Sequence, residues 1–180
     1  MKKFILGKKI AMSQIFKDDG TVVPVTVVQA GPVTLTQIKN AQKDGYRAVQ
    51  VEFGKSRKEF KAEGIFEKGA SINVSTFEEG DKVKVSGLAK GRGFQGVVKR
   101  HGFKGAPKTH GTKHAHRQPG SIGATWPQRV IKGTRMGGRM GGKRVSLRNL
   151  EVVKVDPEKN QLFLKGAVPG ARGTLLEISG

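Results

Sequence analysis

Residues 82–100 read KVKVSGLAKGRGFQGVVKR, and two kinds of chain meet inside them. Through Leu88, Val83 and Val85 alternate with Lys82 and Lys84, the period of a half-buried strand. From Lys90 onward the alternation stops, and glycine recurs at 91, 93 and 96 among lysines and arginines. The second pattern runs to about residue 149, with Gly102, Gly105, Gly111, Gly120, Gly123, Gly133 and the pairs Gly137-Gly138 and Gly141-Gly142. Its apolar residues are scattered: Phe94, Val97, Val98, Phe103, Ile122, Trp126, Val130, Ile131, Met136 and Met140. Alone, such a stretch buries too little apolar surface to offset its ordering entropy. It reads either as a solvated basic loop or as an arm that orders against a polyanion. A tryptophan and two phenylalanines favour the arm.

Charge draws the same boundary. The chain has 180 residues and a formal charge of +20. Between Asp81 and Glu151 there is no acidic residue, and residues 82–150 hold 17 cations. The other 111 residues hold 17 cations against 14 anions, so nearly all the excess lies in one stretch. A charge of this size calls for a polyanionic partner, nucleic acid first and an anionic membrane second. The absence of cysteine excludes disulfides, thiolate metal sites and cysteine nucleophiles. No apolar run approaches the ~18 residues of a membrane span. Phe4-Ile5-Leu6, boxed by lysine pairs, is too short for a signal-peptide core. The expectation is a soluble, unexported protein.

On either side of the basic stretch the chain reads as β. Thr21–Val28 is a β-branched run after an Asp19-Gly20 turn, and Thr34–Ile38 and Tyr46–Phe53 flank a hairpin turn at Lys43-Asp44-Gly45. Leu150–Val155 and Gln161–Leu164 bracket a second turn at 156–160, and Thr174–Ile178 is a last strand. Residues 55–68 are expected to hold a helical turn, weakened by Gly64. Short strands with regular turns favour a closed barrel or a sandwich.

Several motifs in the basic stretch tempt and then fail. Gly91–Gly96 matches G-x-G-x-x-G, but a dinucleotide site needs a helix directly after the last glycine and an acid about 20 residues on. Val97–Gly111 shows no helical stripe, and no acid comes before Glu151. Gly137–Arg144 nearly fits a P-loop but has arginine where a hydroxyl must bind magnesium. His110, His114 and His116 lack carboxylate company for zinc, and five cations between Lys99 and Lys113 would repel a dication. Contacts to RNA bases and phosphates suit these histidines better. Ser121 and Ser146 have no acid to orient a histidine, so no catalytic triad is expected. The candidate RNA-binding residues are the cations Lys90, Arg92, Lys99, Arg100, Lys104, Lys108, Lys113, Arg117, Arg129, Lys132, Arg135, Arg139, Lys143 and Arg144, with His110, His114, His116 and Trp126. An enzyme built on the glycine loops and a general nucleic-acid compactor are the competing classes.

Leu6–Phe16 (LGKKIAMSQIF), Val23–Val28 with Ala30-Gly31-Pro32, Asp44-Gly45-Tyr46, Lys90–Arg100, Pro119–Gly123, Arg139-Met140-Gly141 and Lys165–Gly170 occur in this order. Together they resemble the universal large-subunit ribosomal protein three family, bacterial type, over nearly the whole chain. The resemblance implies a mainly β fold: a closed β-barrel resembling translation-factor barrels, with a long basic glycine-rich extension inserted between strands. Residues 1–88 and 150–180 would form the barrel, and residues 89–149 the rRNA-binding extension. It also implies a non-enzymatic role in early subunit assembly. The extension would reach towards the peptidyl transferase centre, with residues 117–131 near its tip and Trp126 stacking there, unless Trp126 packs on the arm itself. The implied partners are large-subunit (23S-type) rRNA and neighbouring large-subunit proteins, among them proteins fourteen and nineteen; no cofactor, metal, membrane or small-molecule substrate is implied. Two departures stand out. Lys55–Ser71 is shorter than the family's helical insertion, and Ala124 stands where some members carry a modified glutamine.

Overall fold

A computed structural model of the chain describes residues 3–61, 64 and 66–180, and the fold is mainly β. In chain order the elements begin with β1 (Phe4–Phe16), β2 (Val22–Ala30), β3 (Val33–Lys39), α1 (Ala41–Asp44), β4 (Ala48–Phe53), β5 (Ser56–Phe60) and β6 (Ser71–Ile72). A single 3₁₀ turn at Val74–Thr76 precedes β7 (Lys82–Leu88). Then come β8 (Phe94–Gln95), α2 (Val97–His101), β9 (Gly138–Arg139), β10 (Arg144–Asp156), β11 (Gln161–Lys165) and β12 (Leu175–Ser179). Strands β1, β12, β7, β10, β11 and β2 form a ring closed by antiparallel pairing.

Closure depends on two long strands that each serve two neighbours. β1 pairs with β12 over Phe4–Lys8 and with β2 over Gly7–Phe16, with a register shift between Lys9 and Ala11. β10 pairs with β7 over Arg144–Glu151 and with β11 over Val152–Asp156. Its register shifts between Leu147 and Leu150, where Asn149 takes the left-handed φ of +59°. Such irregularities bend a strand and increase its twist, which lets a short sheet turn back on itself. A second sheet, in the order β5-β4-β3-β6, shares one core with the ring. Leu162, Leu164, Leu176 and Ile178 come from the ring, and Val33, Leu35, Val49 and Val51 from the second sheet. Phe4 lies between them and stacks on Phe60 at 4.9 Å.

Two expectations change. Within 55–68 the chain is strand β5 through Phe60, not a helical turn, while residues 62, 63 and 65 lie outside those described. Pairing with β4 and the Phe4–Phe60 stack outweigh local helix preference there. Phe4-Ile5-Leu6, read from sequence only as a short apolar run, opens β1 (Phe4–Phe16), which with β10 is the longest strand among the described residues. Phe4–Gly7 is buried on both faces, so it carries no alternation to read.

The chain divides into two compact units, one reaching Ala89 and resuming at Arg144–Gly180, the other Lys90–Lys143. In the first, Leu88 lies directly opposite Arg144 in the β7–β10 ladder. The second is therefore inserted in one hairpin connection.

Ile178→Ala, at a fully buried ring position, is expected to destabilise the first unit by about 2–5 kcal/mol in urea unfolding. Phe16→Ala, at a side chain 66% exposed, should change stability by no more than about 0.5 kcal/mol.

Candidate nucleic-acid interface

Residues 90–143 hold their shape mainly through backbone contacts. β8 and β9 pair Phe94 with Arg139 and Gln95 with Gly138. Beside them the Arg92 N–H donates to the Met140 carbonyl, and the Met140 N–H donates to that of Gly93, both at 2.9 Å. The two ends of the segment cross most closely at Gly141. Its φ is +72°, and a β-carbon there would lie 2.0 Å from the Lys90 carbonyl oxygen. Only glycine fits that crossing.

Directly after Gly96 comes α2, which ends on Gly102 in the left-handed conformation. This corrects the expectation of no helix after the glycine motif. The helix is only five residues long, and Val97 is the one buried side chain in the segment. The Arg100 Nη1 donates to the Met136 carbonyl at 2.6 Å, and His101 Nε2 lies 3.0 Å from the same oxygen. These two bonds fasten the helix to the chain that precedes β9. A second crossing joins Gly105-Ala106 to His116: the Ala106 N–H donates to the His116 carbonyl at 3.2 Å.

The candidate cations are displayed, with two exceptions. Among the 13 cations of 90–143, only Arg100 is partly buried, and none is ion-paired with a carboxylate among the described residues. Arg144 is the other exception. It sits on β10 and pairs with Glu177, which also meets Lys58. From residue 117 to 136 every residue is exposed, which places Arg117, Arg129, Lys132 and Arg135 together in one uncovered run. Trp126 is 81% exposed, so it is not packed on the arm. Phe94 is 79% exposed beside Gly137.

The histidines divide. His116 Nδ1 lies 3.3 Å from the Pro107 carbonyl, and the His114 carbonyl accepts from Gln118 Nε2 at 3.2 Å. His110 takes a left-handed turn conformation, φ +59°. Among the described residues no three His, Asp or Glu gather as a metal site. Ser121 Oγ donates to the Gly123 carbonyl, while Ser146 Oγ bonds Ser86 Oγ, so neither hydroxyl meets a histidine.

Several carboxylates of the first unit are held by nearby groups. The Glu78 N–H, then Lys3, hold the Asp81 carboxyl below its usual range. Lys39 and Tyr46 do the same to Glu59, and Lys165 to Glu151. Among the described residues every ion pair lies in the first unit, and no cation of the second is paired with a carboxylate. Sequence reasoning missed the anchoring role of His101 and the Arg144–Glu177 pair. The latter joins residues 33 apart, and no local pattern signals it.

The sequence model for ribosomal protein L3 matches residues 8–167. The chain is 46% identical over 201 aligned residues to the large ribosomal subunit protein uL3 of Streptococcus pyogenes serotype M1, covering 99% of this chain and 96% of that protein. The aligned length exceeds the 180 residues here, so that relative carries inserted positions.

Gly141→Ala is expected to open the crossing at Lys90, so that the amides of Arg92 and Met140 exchange with deuterium at least tenfold faster. Gly111→Ala is the control. Its φ of +81° carries the same strain of about 1–2 kcal/mol, but a β-carbon there meets nothing within 4 Å. Exchange at Arg92 and Met140 should stay close to the parent rate in that variant.

Proposed function

The chain belongs to the ribosomal protein L3 family, and from that premise we propose that it is a structural, non-enzymatic constituent of the large ribosomal subunit that binds large-subunit rRNA through residues 90–143. One observation carries the reading. Thirteen cations without a carboxylate partner surround a segment that buries a single side chain. Like charges this dense repel one another, and phosphates relieve the repulsion. Exposed Lys and Arg position the backbone of the RNA, while Trp126 and Phe94 offer faces for bases. Arg100 and Arg144 contribute through the fold, because their guanidinium groups already have protein partners.

The finer reading follows the family. The closed ring is a translation-factor-like barrel on the outer side of the subunit. The inserted segment threads inward, bringing residues 117–131 towards the peptidyl transferase centre. Binding this way ties RNA segments together and supports early assembly in the cytoplasm. Large-subunit proteins fourteen and nineteen are the neighbours this placement implies. No small-molecule substrate or cofactor enters.

Affinity for large-subunit rRNA should fall with salt at a log–log slope of very roughly −5 to −8, as expected if about half the extension's cations pair with phosphates. A nearly flat dependence would overturn the reading. Folded rRNA should outcompete duplex DNA, and equal competition would instead identify a general compactor. Replacing Arg117, Arg129 and Arg135 together with Ala should make the slope shallower by about 2–3 and reduce large subunits in a sucrose gradient. Melting of the free protein should be unchanged, because all three side chains are exposed.

A further inference from the structure

A cavity of about 420 Å³ lies wholly within the second unit, between Phe103–Ala106 and Ala115 with Gln118–Gly120. That volume is within the range of ligand pockets, roughly 300–1,000 Å³. Phe103, Ala106, Ala115 and Pro119 give it apolar walls, and Lys104 and Gln118 supply the polar side chains. Its two sides are held at a fixed separation by the crossing described above. Gly105 has φ +77°, and a β-carbon there would lie 2.1 Å from the His116 carbonyl oxygen. The Ala106 N–H bonds that same oxygen, and the Gln118 N–H donates to the Ala115 carbonyl at 3.4 Å. The His101 ring, 5.9 Å from that of Phe103, flanks the phenyl group.

The lining dictates what fits. Apolar walls do not suit a bare phosphate, and the acid-free surroundings offer nothing to a cation. A flat, partly apolar ring attached to an anion satisfies both conditions. Gln118 Nε2 is held by the His114 carbonyl, and its Oε1 makes no bond among the described residues, which leaves an acceptor for an N–H on the ring edge. Lys104 is exposed at the rim, where the phosphate would lie. We infer that this cavity receives one unstacked nucleobase of the bound RNA, with Phe103 as its stacking face, Gln118 as its edge contact and Lys104 at its phosphate. The inference rests on the rRNA-binding reading above and adds to it a defined, single-base contact.

The test compares the full-length chain with Ala115→Phe, which fills the cavity from an exposed position, and with Gln118→Ala, which removes the acceptor and adds no bulk. Each is bound to large-subunit rRNA and probed twice, with hydroxyl radicals for the backbone and with dimethyl sulfate and carbodiimide for bases. The expected result is an unchanged backbone footprint in which one base, protected by the parent, regains reactivity at least fivefold in both variants. Affinity should fall roughly tenfold for Ala115→Phe, the scale of one lost base stack. Parent-like base protection and parent-like affinity in both variants would overturn the pocket and leave rRNA binding standing. Absence of any backbone footprint with the parent protein would overturn the rRNA-binding reading itself, and the pocket with it.

Discussion

Leu88 and Arg144 face each other across the β7–β10 ladder, and the chain between them leaves the ring and returns at the same point. This pairing lets an inserted segment coexist with a closed ring. The entropy of closing a flexible loop rises only slowly with length, by about 0.6 kcal/mol per doubling. A long insertion at an intact hairpin is therefore tolerated if the ladder on either side is strong. Here it is continuous through Leu147 and resumes at Leu150 after the bulge at Asn149. The core beneath it takes Val83, Val85, Leu176 and Ile178 from the ring and no residue from 90–143. Glu177 adds a charged clasp by holding Arg144 and Lys58 together.

The inserted unit solves a different problem. It has almost no core, so its form depends on places where backbone meets backbone. Two such places, Gly141 against Lys90 and Gly105 against His116, leave no room for a β-carbon. Paired strands β8 and β9 and the carbonyl of Met136, bonded by Arg100 and His101, complete the frame. A frame of this kind uses few side chains, and most of the others are exposed. That is the arrangement a phosphate-binding surface needs, since each displayed cation is available without first breaking a contact.

The parts of this design legible in the sequence are those that depend on neighbours along the chain. Alternation marks Lys82–Leu88 as a strand, and the turn residues of 156–160 mark the hairpin between β10 and β11. The acid-free stretch is read by inspection. What escapes is whatever the tertiary structure decides. Phe4–Gly7 is buried from both sides and shows no period. Ser56–Phe60 looks polar and helix-tolerant, but it is an edge strand fixed by β4 and the Phe4 ring. Nothing near Arg144 in the sequence signals its ion pair with Glu177. The glycines of the extension are plain in the sequence, but not which of them stand at crossings.

The pair Arg144–Glu177 also shows why the extension contains no acid. Where the chain re-enters the unit that holds carboxylates, its first cation is captured by one. A glutamate within 90–143 would do the same to its neighbours. Each internal pair would remove a counterion site that a phosphate otherwise occupies, and binding would then have to break that pair first. The free extension therefore carries uncompensated repulsion, moderated by salt over a Debye length of about 8 Å at physiological ionic strength, and the backbone crossings at Gly105 and Gly141 hold it in form against that repulsion. Segregating charge between the two units and bracing the basic one with glycine contacts are two halves of one solution. The first keeps the cations free for a polyanion, and the second keeps them in place until it arrives.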